Sequence, residues 1–209
     1  MTHVPQLPLE KLEALKAHVE QGVGGFVIEA EIKNGELVVT VIRDQLPLVL
    51  EWLRDDAEYR FTQLMDICAI DFPERPERFE VAYNLLSLKA NLRIRVKVTT
   101  DEELGVPTAS NVFPAAGWFE REVWDMNGIF FDGHSDLRRI LTDYGFDGHP
   151  LRKDFPLTGF VEVRYDNAQK RVVYEPVNLT QAFRSFDFES PWEGTQYVLP
   201  APVEKKGAA

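Results

Sequence analysis

The strongest constraint on the fold is the dipeptide Asn34-Gly35, which lies between the two strand-like runs 26–33 and 36–43. Both residues tolerate a positive φ, and a two-residue type I′ turn requires that conformation at both central positions. Such a turn also fixes which residues of the two strands face each other. We therefore predict an antiparallel β-hairpin over residues 26–43.

Patterns of apolar residues predict further elements on both sides of this hairpin. Leu12, Leu15 and Val19 recur at spacings of three and four, which is typical of an amphipathic helix. Residues 91–99 alternate aliphatic side chains with Arg and Lys, as in a strand with one face in water. The other predicted elements are a helix over 46–59 and strands over 61–70 and 79–86. This order predicts an α+β domain over residues 1–105, with a mostly antiparallel sheet and helices on one face.

A second predicted region, residues 106–175, combines turn signals with short helical patterns. One helix is predicted over 118–126 and another over 136–144, where Ser135 is the expected N-cap and Gly145 the expected stop. The runs 160–164 and 171–175 are predicted to pair as a hairpin.

Residues 176–209 are predicted to form a long, partly irregular C-terminal arm, because regular periodicity ends at Pro176. Aromatic side chains without periodicity cannot build a core of their own, and leaving them exposed would make the surface adhesive. They are expected either to dock on another subunit or to fold back over their own domain. Counted from Val172, just before the arm, the aromatic residues concerned are Tyr174, Phe183, Phe186, Phe188, Trp192 and Tyr197.

Composition excludes several classes of protein. With 44% hydrophobic and 27% charged residues in a chain of 209, the sequence is neither wholly disordered nor membrane-embedded. A net charge of −11 argues against a primary nucleic-acid binder, which needs clustered Lys and Arg. The longest uncharged stretch, 104–119, contains Pro and Gly and cannot span a bilayer as an apolar helix. The N-terminus resembles neither a secretory signal nor a transit peptide, so we expect an intracellular protein.

Candidate catalytic groups are sparse. Glu122 and Asp125 lie three residues apart and share a face of the predicted helix, so with His149 they could serve a free-standing hydrolase. Arg121 lies four residues before Asp125, and an ion pair within the helix explains the segment more simply. His134 and His149 match no short metal-ligand motif, and a histidine bonded within a turn is the simpler interpretation. The single cysteine, Cys68, cannot by itself hold an iron–sulfur cluster.

The spacing of charges on the predicted helix singles out Arg138. On the predicted helix over 136–144, Arg139 can pair with Asp136 and with Asp143, which leaves Arg138 without a local partner. It is expected either to pair with another segment or to stay in water.

The middle of the chain closely resembles the signature of a known family over residues 120–166. The family is the C subunit of the proton-pumping NADH:quinone oxidoreductase, respiratory complex I. Ser135 stands where the family usually has proline, and Trp124 occupies an aromatic position that tyrosine often fills. The residues that carry the resemblance are Glu120-Arg121-Glu122, Trp124-Asp125, Gly128, Phe131, His134, the run 136–146, the run 148–157 and Glu162-Val163-Arg164-Tyr165-Asp166.

The resemblance implies a bacterial-type component of the peripheral arm, beside the D subunit at the quinone site and close to the B and I subunits. It implies no redox cofactor in this chain, because FMN, the iron–sulfur clusters and quinone belong to other subunits. Association with the cell inner membrane is then peripheral, on the cytoplasmic side, or on the matrix side in a mitochondrion. A related membrane-bound hydrogenase or ferredoxin-linked complex, which has a similar component, is the alternative.

We predict no catalytic residue, and expect the charged residues of the signature to form internal and inter-subunit polar networks. So dense a charged block without a chemical motif suits paired charges at an interface. The residues assigned to these networks are Glu120, Arg121, Glu122, Asp125, Arg138, Arg139, Asp143, His149, Arg152 and Asp154.

Overall fold

The computed structural model describes residues 9–181. The predicted arm therefore lies outside the described residues from position 182 onward, together with the aromatic side chains that begin at Phe183. The chain divides into two compact units between Gly159 and Phe160. The domain boundaries at 105 and 175 stay predictions.

A five-stranded sheet is the centre of the first unit. Its strands in chain order are β1 (Val27–Lys33), β2 (Glu36–Val41), β3 (Gln63–Asp71), β4 (Phe79–Ser87) and β5 (Leu92–Thr100). In space their order is β1-β2-β5-β4-β3, and the central pair β2 and β5 runs parallel while the other neighbours run antiparallel. The predicted mostly antiparallel sheet is confirmed.

The hairpin around Asn34-Gly35 forms as its turn chemistry predicts. Asn34 has a φ of 53° and Gly35 a φ of 80°, both in the left-handed region. Lys33 faces Glu36 across the turn, and the register continues through β1 and β2 to a bulge near Val27.

One face of the sheet is buried beneath three α-helices of the described chain: α1 (Leu9–Val23), α2 (Leu46–Asp55) and α3 (Ala116–Asn127). Their apolar side chains join those of the strands in a single hydrophobic cluster. On β5 the buried members alternate with cations along the strand, as the sequence predicted. The expected placement of the helices on one face is therefore confirmed. The β5 members of the cluster are Leu92, Ile94, Val96 and Val98.

Within residues 9–181, the opposite face of the sheet carries ion pairs and no helix. Lys97 Nζ lies 2.8 Å from Glu80 Oε1, and Arg95 Nη2 lies 3.1 Å from Glu36 Oε2. Arg95 also donates through Nε to the side-chain oxygen of Asn84. These cross-strand pairs satisfy one another, which suits a face in contact with water.

Helix α2 ends at Asp55, four residues before the predicted end at Tyr59. The cause is Asp56, whose Oδ2 accepts the backbone N–H groups of Glu58 and Tyr59 and so turns the chain. Its other oxygen accepts His18 Nε2 of α1 at 2.7 Å.

The predicted helix over residues 136–144 is wrong. The segment has no regular secondary structure, and its backbone N–H groups at Ile140, Leu141 and Thr142 donate to the Asp125 carboxylate rather than to carbonyls of a helix. Before it, the short strands β6 (Val106–Pro107) and β7 (Phe131–Asp132) pair in parallel.

The second unit contains a hairpin of β8 (Val161–Asp166) and β9 (Arg171–Pro176), which confirms the prediction from the two runs around Asp166. Its register places Val163 opposite Tyr174 and Tyr165 opposite Val172, so that these apolar side chains share one face. Arg164 and Glu175 form a forked ion pair on the other face.

Within residues 9–181, no helix is long and apolar enough to cross a membrane.

The close crossing of α1 and α2 predicts that Gly22→Ala destabilises the protein. A Cβ atom at Gly22 would overlap the Trp52 ring of α2, so the ring must move. Helix propensity alone would favour alanine by about 1 kcal/mol, whereas crowding of this kind costs about 1–3 kcal/mol. Urea denaturation of the full chain measures the difference.

Gly24→Ala is the matched control, because a Cβ atom there would meet nothing within 4 Å. We expect its free energy of unfolding to stay within about 0.5 kcal/mol of the wild type. Equal effects of the two substitutions would contradict the crossing geometry.

Candidate functional site

Helix α3 positions the charged residues at the start of the signature. Glu120, Arg121 and Asp125 are buried on its inner side, whereas Glu122 is exposed. The helix ends at Asn127 and is capped by Gly128, which has a φ of 77° and donates its N–H to the carbonyl of Trp124. A Cβ atom at Gly128 would come within 2.6 Å of His149 and 2.5 Å of Arg152, so glycine also lets the following chain approach closely.

The carboxylate of Asp125 is the centre of the first polar cluster. Its Oδ2 accepts the backbone N–H groups of Ile140, Leu141 and Thr142 at 2.7–2.9 Å. Its Oδ1 accepts the hydroxyl of Thr142 at 2.5 Å and Arg139 Nη1 at 2.8 Å. The side chain of Asp125 is fully buried, and donors aimed at both oxygens are what a buried carboxylate needs in place of water.

This arrangement shifts the pKa of Asp125. Burial alone would raise the pKa, but the hydrogen bonds from the Thr142 hydroxyl and from the three backbone N–H groups outweigh burial. They hold the pKa of Asp125 well below its ordinary value, so the group is a carboxylate throughout the physiological range.

Arg139 and Arg121 both fix the irregular segment of residues 138–148. Arg139 reaches Asp125 and also donates to the carbonyl of Gly148 at 3.1 Å. Its guanidinium lies 5.7 Å from the ring centres of both Trp124 and Phe146. Arg121 donates to the carbonyls of Arg138 and Arg139, each at 3.0 Å, through its forked guanidinium.

Two histidines complete this cluster as backbone anchors. His149 Nδ1 donates to the carbonyl of Asp125 at 3.0 Å. His134 accepts the N–H of Asp136 at Nδ1, so its proton lies on Nε2, which donates to the carbonyl of Gly117.

Glu120 is buried in a different environment from Asp125. One carboxylate oxygen accepts the N–H of Ala109 and the other accepts the Thr108 hydroxyl, both at 2.6 Å. Burial is the largest influence and raises the pKa of Glu120, although these hydrogen bonds and the nearby His134 lower it. Glu120 therefore ties α3 to the segment that follows β6.

A second polar cluster joins the signature to the edge of the sheet. Arg78 binds both oxygens of Asp71 at 2.6 and 2.8 Å, and also contacts Glu102 and Asp154. Asp71 in turn accepts the backbone N–H of Lys153 at 2.7 Å. Hydrogen bonding to Arg78 lowers the pKa of Asp71 in spite of its burial.

Arg152 connects this second cluster to the end of α3. It donates through Nε to the carbonyl of Asn127 at 2.6 Å and through Nη1 to Glu102 at 3.1 Å. Its guanidinium and that of Arg78 both lie 5.2 Å from the centre of the Phe79 ring.

The structure brings together some of the residues assigned to the networks and separates others. Arg121, Asp125, Arg139 and His149 meet around the loop that begins at Arg138, while Arg152 and Asp154 belong to the second cluster. Glu122 and Asp143 are exposed and take part in no side-chain hydrogen bond or ion pair within residues 9–181. Arg138 lies in water and pairs with Asp136, not with a distant segment. A role of these residues between subunits stays a prediction.

Several expected pairings are not formed. Arg121 does not pair with Asp125 within α3, and Arg139 binds Asp125 rather than Asp136 or Asp143. The pair Glu122 and Asp125 proposed for a hydrolase does not converge, because Glu122 is exposed and both oxygens of Asp125 are already occupied by donors. Among the described residues, no group of three or more His, Cys, Asp or Glu side chains is placed to hold a metal ion.

Several members of these clusters are not predicted by any pattern in the sequence. Thr108 and Thr142 are the hydroxyl donors to Glu120 and Asp125, and Asp71, Arg78 and Glu102 build the second cluster. These partners lie far apart in the sequence, so spacing gives no signal for them. The one local hint is that Asp71 and Arg78 lie near the facing ends of two consecutive predicted strands.

The opposite pKa shifts of two buried carboxyl groups predict opposite pH effects. Asp125→Asn should cost at least about 3 kcal/mol at neutral pH, because an amide nitrogen replaces an oxygen that accepts donors. A lowered folded pKa gives stability that is present above the ordinary Asp pKa of about 3.9 and is lost as the pH falls below it. The difference in the free energy of unfolding between the wild type and Asp125→Asn should therefore become smaller as the pH is lowered.

Glu120→Gln is the matched comparison and should cost much less. In the wild type the pKa of Glu120 is raised, which means that the ionised carboxylate lowers the stability of the fold. The free energy of unfolding of the wild type should therefore rise relative to that of Glu120→Gln as the pH falls through the raised pKa. Guanidinium denaturation of the full chain at several pH values measures both. Parallel pH profiles for the two variants would contradict these assignments.

Two arginines of the signature should differ in their effect on stability. The Arg152 side chain is 17% exposed and that of Arg138 is 60% exposed. We expect Arg152→Ala to lower the free energy of unfolding by about 2 kcal/mol, since buried charged hydrogen bonds are lost. Arg138→Ala should stay within about 0.5 kcal/mol of the wild type. Thermal and urea unfolding of the two variants test this contrast.

Comparison with known proteins gives one consistent family. Residues 39–161 match the family model described as respiratory-chain NADH dehydrogenase, 30 kDa subunit. The C subunit of NADH-quinone oxidoreductase from Rhizobium johnstonii is 59% identical over 197 residues, covering 94% of this chain and 98% of that protein. The C subunit from Maricaulis maris is 58% identical over 198 residues, covering 95% and 99%.

A solved structure shows the same fold. A chain of the membrane-bound sulfane sulfur reductase, an archaeal respiratory membrane complex, matches with a TM-score of 0.61 and 25% identity, covering 70% of this chain and 86% of that one. The family model covers more than half of the chain, and the relatives match nearly its full length. The chain belongs to the family of the respiratory-chain NADH dehydrogenase 30 kDa subunit, which is the family of the NADH-quinone oxidoreductase C subunit.

Proposed function

We propose that this chain is a non-redox subunit of the peripheral arm of a proton-translocating NADH-quinone oxidoreductase. Its role is to support assembly and structure beside the D subunit at the quinone site, with the B and I subunits nearby. Electrons pass from NADH through FMN and iron–sulfur clusters in other subunits to quinone, and this chain has no active site of its own. It is peripheral to the cell inner membrane on the cytoplasmic side and reaches the membrane only through the complex.

The observation that carries this proposal is that the signature buries several of its charged side chains and exposes several large apolar ones. Buried charges such as Asp125 and Arg121 bind backbone groups of the same chain, while large apolar side chains of the same segment face outward. Large exposed apolar groups on a rigid frame are typical of protein–protein interfaces. The exposed residues of the signature in question are Phe130, Leu141, Tyr144, Leu151 and Leu157.

The environment of the buried ionisable groups also supports a structural role. Asp125 has donors on both oxygens, and His149 and His134 are each fixed by backbone hydrogen bonds. A general base must reach the proton that it removes. These groups are directed into the chain itself rather than toward a substrate.

The alternative is that the chain is the equivalent subunit of a related membrane-bound hydrogenase or ferredoxin-linked complex. Similarity of fold supports this alternative, but similarity of sequence supports it less than the oxidoreductase. The solved chain from the sulfane sulfur reductase shares the fold at 25% identity over 70% of this chain. The NADH-quinone oxidoreductase relatives share 58–59% over 94–95% of it. The oxidoreductase assignment therefore has the stronger support.

Purification of the tagged chain from its own cells in mild detergent tests the proposed function. We expect the other subunits of the NADH-quinone oxidoreductase to co-purify, with NADH:quinone activity in the same fraction. Lysine-directed cross-linking of that fraction should join the chain first to the D subunit. Recovery of the tagged chain alone, without these subunits, would overturn the proposal.

The absence of a cofactor is tested separately on the chain released from the complex. We expect no flavin or iron–sulfur absorption bands and no bound metal in stoichiometric amount. A cofactor or a metal ion present at about one per chain would contradict a purely supporting role.

A further inference from the structure

The loop of residues 138–148, called here the signature loop, is irregular in backbone but held firmly at its base. Asp125 accepts the N–H groups of Ile140, Leu141 and Thr142. Arg121 binds the carbonyls of Arg138 and Arg139 from the opposite side. The backbone at the base of the loop is therefore fixed from both sides, which limits the conformational entropy that this part can still lose.

The far end of the signature loop is anchored as well. Arg139 donates to the carbonyl of Gly148, and the Phe146 ring lies 5.9 Å from the Phe155 ring. Gly145, with a φ of 81°, lets the chain turn back between these anchors.

Between the anchors, the loop presents its largest side chains to solvent. Tyr144 is 92% exposed and Leu141 is 62% exposed. Burying such groups is favourable, and no segment within residues 9–181 covers them. The loop thus offers two neighbouring apolar side chains above a fixed base.

The unpaired charges beside this tip are acidic. Asp143 and Asp147 are exposed on either side of Tyr144, and neither forms a side-chain hydrogen bond or ion pair with any residue from 9 to 181. Arg138, the exposed cation of the loop, is already paired with Asp136 at 2.9 Å. The tip is therefore an apolar projection with an acidic rim.

We propose that the signature loop is a preformed plug, in which Tyr144 and Leu141 enter an apolar pocket on a neighbouring subunit of the same complex. The pocket has Lys or Arg residues at its rim to meet Asp143 and Asp147. This inference rests on the proposed function, because it needs a neighbouring subunit.

The physical basis of the plug is preorganisation together with burial. A loop that is already ordered pays little conformational entropy on binding, so more of the gain from burying its tip remains as affinity. Tyrosine in a desolvated pocket often dominates the energy of an interface, and complementary charge at the rim improves specificity. Asp125 acts here as a positioning residue, since it holds the loop without touching the partner.

A competition experiment in cells tests the plug. Wild-type and variant chains with different tags are expressed together, and the ratio of the two tags in the purified complex is measured. We expect the double variant Tyr144→Ala, Leu141→Ala to be under-represented roughly tenfold or more, and Tyr144→Phe to be nearly equal to the wild type. The double charge reversal Asp143→Lys, Asp147→Lys should also be under-represented.

Matched controls lie on other exposed surfaces. Leu88→Ala removes a side chain that is 71% exposed, in the turn between β4 and β5. Glu103→Lys reverses an exposed charge outside the signature. Both should enter the complex in equal ratio with the wild type, and a loss as large as that of the loop variants would contradict a specific plug.

Photocross-linking keeps the test independent of folding in the variants. A benzophenone amino acid at position 144 should form an adduct with one other subunit of the complex, and the same group at position 88 should not. No adduct at position 144 in an intact complex would overturn the plug.

The outcomes separate the two proposals. If the wild-type chain does not co-purify with the oxidoreductase, the proposed function fails. If it co-purifies and the loop variants compete equally with it, the proposed function stands and the plug is wrong.

Discussion

The carboxylate of Asp125 imposes the condition on which the arrangement of the signature depends. A buried negative charge must be surrounded by donors, and three of those that surround Asp125 are the backbone N–H groups of Ile140, Leu141 and Thr142. Meeting that need takes the loop out of helical geometry and fixes it against α3. The loop is therefore shaped by a side chain on another element rather than by its own propensities.

The same principle extends through the second polar cluster. Arg78 neutralises Asp71, and Asp71 then fixes the backbone at Lys153. Arg152 carries the connection on to the carbonyl of Asn127 at the end of α3. Charged side chains hence bind main-chain groups of irregular segments where regular ladders are absent, and the segments gain a defined path over the core.

Sequence patterns predict the parts of this molecule that depend on near neighbours. The turn at Asn34-Gly35 and the alternation along β5 specify the hairpin and the buried face of the sheet, because both signals lie within a few residues. The segment after Ser135 has the spacing of charges found in a helix, yet its N–H groups bind Asp125, more than ten residues earlier. Contacts such as that of Asp71 with Lys153, which are 82 residues apart, leave no periodic trace in one sequence. The members of the two polar clusters could therefore be identified only from the three-dimensional structure.

The parallel pairing of β2 with β5 carries a consequence for the order of folding. Leu37 pairs with Ile94 only after the intervening chain has been made and its loop-closure entropy overcome. Asp71 and Arg78 lie at the ends of strands in that same sheet, so the segment around Lys153 can settle only once the sheet exists. During synthesis, the surface that we propose for docking is thus among the last to mature, and we expect incorporation into the complex to select chains that have finished folding.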